Sequence, residues 1–194
     1  GNSFANSVLT IHSINTLFDC AHYDAHNQYL DHVRRGLALI PEDDAFYRIE
    51  KTDCQTYTDN MALGIPGISN FSSAERLESL DFLWKLGVER HMAWAHYTGK
   101  SPAATESLLG VRYVLSEEPL DTDREKYTLV GVTEKNLSVY RNPYALPLIM
   151  ASGSISNGIF DKEGCDFQNA CWRSLAPEIN EDVFIPADDL TAQT

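Results

Sequence analysis

The chain has 194 residues, of which 43% are hydrophobic and 10% aromatic, and its formal net charge is −13. A chain of this size and composition buries a sizeable apolar core without help from a metal or a disulfide bond, so a single soluble domain is expected. The negative charge repels phosphate backbones and argues against nucleic acid as a partner. The sequence contains no run of about 18 apolar residues, the length that a helix needs to span a bilayer.

The first predicted elements are a short strand at Val8–Ile11 and a helix from Asp24 to Ile40. Apolar residues recur in this helix at helical spacing: Leu30, Val33, Leu37 and Ile40. Pro41 should end the helix, and the aromatic and branched residues of Phe46–Glu50 then predict a strand.

Two further helices are predicted after the turn-forming residues 64–67. The first should begin at a capping box formed by Ser72 and Glu75 and end at Gly87. Its predicted apolar face consists of Leu77, Leu80, Leu83 and Trp84. These signals place a helix N-terminus directly after a loop of small polar residues.

The second of these helices should have Ser101 as its N-cap, Pro102 at its first position and Gly110 just past its end. Three strands are then predicted, of which the last two form a hairpin: Val111–Leu115, Tyr127–Val132 and Leu137–Tyr140.

The C-terminal part is predicted to contain an edge strand or extended segment at Tyr144–Met150 and a short helix from Asp166, as its cap, to Leu175. The tail after Pro186 is expected to fray. The predicted fold class is therefore α/β (α+β), a mixed β-sheet with helices packed on it. The expected division is an N-terminal strand and helix at 1–44, an α/β core at 45–177 and a tail at 178–194.

Four cysteines could form up to two disulfide bonds: Cys20, Cys54, Cys165 and Cys171. Cys165 and Cys171 are close enough in sequence to close a small loop, and unpaired thiols are an equal alternative. The spacing of the cysteines does not favour zinc, and we expect neither a metal nor a cofactor.

The candidate binding residues follow the turn at 64–67. Small and turn-forming residues deliver Ser69, Asn70, Ser72 and Ser73 to the predicted helix N-terminus. Free backbone N–H groups at such a position suit a phosphate or another anion, although Ser72 as a simple cap is the alternative.

A second candidate binding feature is a group of four ring-bearing residues, His91, Trp94, His96 and Tyr97. Their rings could stack on sugars or lie at a membrane interface, or they could pack against the preceding helix. The chain contains no hydrolase elbow and no nucleotide-binding glycine loop, so no catalytic residue is predicted.

Five segments occur in an order that resembles the outward-facing region of the YfhO family: FYRIEK at 46–51, GISNFSS at 67–73, FLWKLG at 82–87, LLGVRYVL at 108–115 and VYRNPYALPL at 139–148. The resemblance implies a multi-spanning bacterial membrane protein of the GT-C glycosyltransferase type. Such a protein would transfer a sugar from a polyprenyl-phosphate carrier to a cell-envelope polymer such as lipoteichoic acid.

The resemblance also implies where this chain acts. It would lie on the extracytoplasmic face of the cell membrane, with the membrane portion of the same polypeptide as its partner and the catalytic groups in that portion. Its role would then be accessory, in positioning the acceptor or the carrier. The alternative is a non-catalytic binding or assembly module for cell-wall polymer or partner proteins.

Overall fold

The computed structural model describes residues 20–71, 74–92, 94–149, 158–178 and 180–186, the side chains of residues 20–22 excepted. The predicted strand at Val8–Ile11, the candidate residues Ser72 and Ser73, and the tail after Pro186 lie outside these residues.

The described residues form five α-helices and seven β-strands. The helices are α1 Cys20–Leu37, α2 Asp59–Leu63, α3 Leu77–Lys85, α4 Ala103–Leu108 and α5 Gly164–Leu175. The strands are β1 Arg48–Lys51, β2 Asn70–Phe71, β3 Glu89–His91, β4 Trp94–His96, β5 Val111–Ser116, β6 Thr128–Val132 and β7 Ser138–Arg141. Short 3₁₀ helices cover Thr122–Arg124 and Ile159–Asp161.

Two sheets organise these elements. The larger sheet has the strand order β1-β5-β7-β6, in which β1 and β5 are parallel and the other pairs antiparallel. The smaller sheet is antiparallel, with the order β2-β4-β3. A parallel pair requires a crossover, and here the crossover at residues 52–110 contains α2, α3, α4 and the whole small sheet. The fold-class prediction is confirmed.

Strand β5 of the larger sheet is buried on both faces, whereas the edge strand β6 is largely exposed. On one face, Tyr113 and Leu115 of β5 pack against α1 through Tyr29, Leu30 and Val33. On the other face, Val114 lies in a second apolar cluster with residues from α3, α5 and the small sheet: Leu80, Ala95 and Phe167. Four of the six residues of β5, Val111, Tyr113, Val114 and Leu115, are branched or aromatic because both faces of the strand are buried.

The predicted hairpin and the predicted N-terminal helix are confirmed. Strands β6 and β7 pair as expected, and Asn136 in the connecting turn adopts φ 63°, a conformation that Asn tolerates well. Helix α1 presents its predicted stripe to the core, although it begins at Cys20 and ends at Leu37. Among the described residues, no helix is both long enough and apolar enough to cross a membrane.

The predicted capping box is wrong. Helix α3 begins at Leu77 with Arg76 as its N-cap, so Ser72 lies too far upstream to cap it. Of its predicted apolar face, Leu80 is buried, whereas Leu77 and Trp84 are exposed. The predicted end is correct, since Gly87 adopts φ 90° and its N–H donates to the carbonyl of Trp84.

Three boundary predictions also require correction. Pro102, not Ser101, is the N-cap residue of α4, and the Ser101 side chain caps no backbone group. Asp166 lies in the first turn of α5, where Glu163 is the N-cap. Of the two alternatives predicted for Tyr144–Met150, the edge strand is wrong: the described residues 144–149 contain a turn, three residues without regular structure and two bends, because the prolines at 143 and 147 interrupt backbone pairing.

Candidate functional site

The outer face of the small sheet carries a row of aromatic side chains. Phe71 of β2 and His91 of β3 are both cross-strand partners of Trp94 in β4. The ring centroids of Phe71 and Trp94 lie 5.3 Å apart, and those of His91 and Trp94 lie 5.2 Å apart. Because side chains alternate along a strand, the next residue, Ala95, points inward and is buried.

A fourth ring completes this surface. Tyr57, from the segment between β1 and α2, stacks on Trp94 with centroids 4.8 Å apart. Tyr57 is 37% exposed and Phe71 is 41% exposed, so both present ring surface to solvent. We call these four residues, Tyr57, Phe71, His91 and Trp94, the aromatic platform. The indole N–H of Trp94 is buried and has no hydrogen-bond partner among the described residues.

The segment that carries Tyr57 is held in place by a buried ion pair. The Nζ of Lys51 lies 3.7 Å from a carboxylate oxygen of Asp59, and both side chains are buried. Asp59 also accepts hydrogen bonds from the backbone N–H groups of Gln55 and Thr56, at 2.8 and 3.1 Å. Burial alone would raise the pKa of Asp59, but hydrogen bonds from Thr56 and Gln55 outweigh it and lower the pKa.

A thiol and an imidazole meet beside the platform, where the ring of His96 contacts that of Tyr57 with centroids 5.2 Å apart. The Sγ of Cys54 lies 2.8 Å from the Nε2 of His96. Burial raises the pKa of Cys54 and lowers that of His96, so both shifts favour the neutral forms. A neutral thiol is a poor nucleophile. The arrangement therefore anchors the Tyr57 segment to β4 and supplies no activated nucleophile.

The chain entering β2 is organised around a buried carboxylate, Glu50 of β1. It accepts hydrogen bonds from the backbone N–H groups of Ile68 and Ser69, the latter at 2.8 Å. Burial raises the pKa of Glu50, and these hydrogen bonds oppose the rise. A Cβ atom at Gly67 would lie 2.0 Å from the Asn60 amide, so only glycine allows this close approach.

The structure places the predicted residue Ser69 in this buried network. Its hydroxyl accepts a hydrogen bond from the backbone N–H of Tyr97 at 3.0 Å. Asn70 is half-buried and donates from its amide to Glu75 at 3.3 Å. In β2, Asn70 pairs with Ala95 and Phe71 pairs with Trp94, so Asn70 and the aromatic platform lie on opposite faces of the small sheet.

Tyr97, predicted as a possible stacking residue, is fully buried and cannot present a ring to a ligand. Its hydroxyl donates to Glu106 at 2.7 Å, as does that of Tyr127. Arg124 also donates from Nε to both carboxylate oxygens of Glu106, at 3.1 and 3.2 Å. Glu106 is thus occupied by three donor residues and is unavailable for acid–base chemistry.

The possible disulfide between Cys165 and Cys171 does not form, and both thiols are free. The two residues lie six positions apart on α5, which separates their Cα atoms by about 9 Å along the axis and turns them to different faces. A disulfide needs Cα atoms within about 7 Å, so regular helix geometry prevents the bond.

The sequence identified His91 and Trp94 as candidates but gave no indication of Tyr57 and Phe71. Tyr57, Phe71 and His91 come from three separate segments, and their meeting depends on the pairing of β2, β3 and β4. The one available signal was the short spacing between His91 and Trp94, which fits a two-residue hairpin turn.

Comparison with known proteins gives one finding. The family model described as "Bacterial membrane protein YfhO" matches residues 3–192. No curated protein and no solved structure was found to match the chain. The family match covers nearly the whole chain, including every element that builds the aromatic platform. The chain therefore belongs to the YfhO family of bacterial membrane proteins.

Proposed function

We propose that this chain is an extracytoplasmic part of a longer YfhO-family protein and holds the acceptor polymer or the lipid-linked sugar for a glycosyl transfer. The transfer itself takes place in the membrane portion of that protein, which resembles GT-C glycosyltransferases. The observation that carries the proposal is the aromatic platform, where Tyr57 and Phe71 present ring surface around Trp94.

The chemistry of the platform suits a sugar. The apolar faces of sugar rings stack on aromatic side chains, and the exposed rings of Tyr57 and Phe71 offer such surfaces. Stacking needs no charge complementarity, so it can operate on a chain with a net charge of −13. The same residue types also occur where proteins meet the membrane interface, which is where a lipid-linked sugar would be presented.

The two fully buried glutamates support an accessory role over a catalytic one. Glu50 and Glu106 are both held by multiple hydrogen bonds and have no exposed surface. General acid–base catalysis requires a carboxyl group within hydrogen-bond reach of the substrate. Neither group meets that requirement, so the platform is assigned to binding alone.

The test is a pair of substitutions in the full-length membrane protein, Tyr57→Ala with Phe71→Ala. Each lost stacking contact costs about 0.5 to 1.5 kcal/mol, so sugar incorporation into the envelope polymer should fall roughly five- to 100-fold. Incorporation is measured by mass spectrometry of the purified polymer. Tyr144→Ala is the matched control, because Tyr144 is 57% exposed and lies outside the platform.

Unchanged incorporation in the double variant, with normal protein levels in the membrane, would reject the role of the platform. Asn70→Ala tests the other predicted binding segment in the same assay. A loss with Asn70→Ala alone would move the substrate contact to the opposite face of the small sheet.

The second candidate function is an assembly module. Met92 at the tip of the β3–β4 hairpin is 80% exposed and follows His91 of the platform, so it adds to the exposed apolar surface of Tyr57 and Phe71, and larger exposed apolar patches mark contacts with partner proteins. On this proposal, Met92→Ser abolishes co-purification of the 194-residue chain with the separately expressed membrane portion. Retention of the membrane portion by the Met92→Ser chain would count against it.

A further inference from the structure

A small cleft lies on the face of the small sheet opposite the aromatic platform. Its volume is about 180 Å³, and it is lined by three half-buried polar side chains: Arg48, Asn70 and Glu75. Apolar walls are supplied by Ile68, Leu80 and Leu83. Binding pockets for larger organic molecules have volumes of about 300 to 1,000 Å³, so this cleft fits only a small group.

Arg48 is unusual among the buried and half-buried arginines of the described residues. Its Nη1 donates to the backbone carbonyl of Leu109, but within the described ranges no carboxylate oxygen lies within 4 Å of its guanidinium. Arg124 by contrast is paired with Glu106, and Arg112 with Asp43. A guanidinium has five N–H donors, so Arg48 retains several for another acceptor.

The surroundings of Arg48 make its positive charge costly. Burial lowers the pKa of Arg48, and the charge of Glu50 opposes this shift only in part. Glu50 itself accepts hydrogen bonds from the backbone at Ile68 and Ser69. An arriving anion would compensate the desolvated guanidinium, because a planar fork of N–H donors matches the oxygens of a phosphate.

A second polar group that lines the cleft, the Glu75 carboxylate, defines the rest of the ligand. The Glu75 carboxylate accepts one hydrogen bond from the Asn70 amide and has capacity for further donors. A bare anion would be repelled by this carboxylate, whereas a hydroxyl group would donate to it. The cleft therefore combines a cation for a phosphoryl group with an acceptor for a neighbouring hydroxyl group.

We propose that this cleft binds the phosphate ester of a small polyol, with the phosphoryl group on Arg48 and a hydroxyl group on Glu75. The inference rests on the proposed function for the source of such a group, which is either the head group of a lipid or a unit of a phosphate-containing polymer. The chemistry of the site is the same for both sources.

The first experiment titrates the 194-residue chain with glycerol 1-phosphate, inorganic phosphate and glycerol, and follows binding by calorimetry. Glycerol 1-phosphate should bind more tightly than either fragment. Arg48→Gln should weaken its binding by about tenfold or more, the effect of losing hydrogen bonds to a charged group. Arg112→Gln is the matched control, because Arg112 is paired with Asp43 outside the cleft.

A second variant keeps the proposal falsifiable if Arg48→Gln fails to fold. Glu75→Gln removes the repulsive charge, so binding of inorganic phosphate should become roughly three- to tenfold tighter. Circular dichroism confirms that each variant is folded. Absence of saturable binding, or equal affinities in the wild-type chain and a folded Arg48→Gln or Glu75→Gln variant, would overturn the proposal.

Vesicles distinguish the two sources. A lipid head group would be identified if the chain sediments with phosphatidylglycerol vesicles but not with phosphatidylcholine vesicles. Arg48→Gln should then abolish the sedimentation. Binding of soluble glycerol 1-phosphate without vesicle binding would identify a polymer unit. The double variant Tyr57→Ala with Phe71→Ala should bind glycerol 1-phosphate normally, so failure of the platform and failure of the cleft are separable outcomes.

Discussion

At the scale of single residues, Glu50 sets the geometry of the segment that leads into β2. Glu50 lies in the first strand of the larger sheet, yet its carboxylate accepts hydrogen bonds from the backbone N–H groups of Ile68 and Ser69. The Asn60 amide contacts the same carboxylate at 3.3 Å. One side chain thus fixes the start of the small sheet relative to the larger one, and Gly67 is required because the backbone passes close to it.

Replacement of Glu50 by alanine should lower the free energy of unfolding by about 3 to 5 kcal/mol. Two backbone N–H groups and one amide would lose their acceptor, and an unsatisfied buried group costs about 1 to 3 kcal/mol. Glu50→Gln keeps one carbonyl oxygen and should cost about half as much. Urea denaturation measures the change, with Glu125→Ala as an exposed control expected to fall within about 0.5 kcal/mol of wild type. A loss below 1 kcal/mol in Glu50→Ala would contradict this account.

At the scale of elements, the β3–β4 hairpin connects the fold to the candidate site. Its pairing places His91 opposite Trp94 and so creates half of the aromatic platform. The turn is strained, because Met92 adopts φ 47° and side-chain-bearing residues other than Asn and Asp rarely do so. An exposed methionine in this conformation contributes nothing to the core, which fits a role in contact with a partner.

Met92→Asn should therefore stabilise the isolated chain. Asparagine tolerates the left-handed conformation, so the gain is expected to be about 0.5 to 1 kcal/mol, or about 1 to 4 °C in Tm. Asn136→Ala is the control in the opposite direction, because Asn136 adopts φ 63° in the β6–β7 turn. This substitution should lower the free energy of unfolding by a similar amount. Differential scanning calorimetry gives both values, and a lower Tm for Met92→Asn would show that the methionine side chain is itself stabilising.

At the scale of the whole molecule, the buried network around Glu106 joins the crossover to the larger sheet. Tyr97 follows β4, Tyr127 precedes β6, and both hydroxyls donate to the same carboxylate. Burial and the charge of Glu106 raise the pKa of both tyrosines well above the ordinary value of about 10. The folded protein therefore keeps protons that the unfolded chain releases.

The raised pKa values of Tyr97 and Tyr127 make the protein less stable at high pH. Above about pH 10 the unfolded chain binds fewer protons than the folded chain at these tyrosines, so the free energy of unfolding should fall as pH rises. Each tyrosine contributes a slope of at most about 1.4 kcal/mol per pH unit. Tyr127→Phe should remove its share of this slope between about pH 10 and 11.5, as measured by urea denaturation at each pH. Tyr97→Phe is the parallel test, and an unchanged slope in both variants would contradict the assignment.

Much of the fold was determined by local sequence. The stripe of Leu30 and Val33 predicted α1, the turn at 134–136 between two strand-like segments predicted the β6–β7 hairpin, and Gly87 predicted the end of α3. These signals succeed because helix periodicity, turn conformation and glycine at positive φ depend on residues close in the chain. The ordered segments from 46 to 148 likewise indicated the YfhO family, which the match over residues 3–192 confirms.

Only the tertiary structure decided which side chains meet. Trp94 and Tyr97 looked alike in the sequence, yet Trp94 joins the exposed platform and Tyr97 is buried against Glu106. Alternation along an extended strand puts residues three apart on opposite faces, but only the pairing of β2, β3 and β4 decides that the face of Trp94 is the exposed one. Arg48 and Glu75 are likewise distant in the chain and share a cleft only because the crossover folds back onto β1. Contacts of this kind depend on the packing of the small sheet against the larger one, which no local pattern specifies.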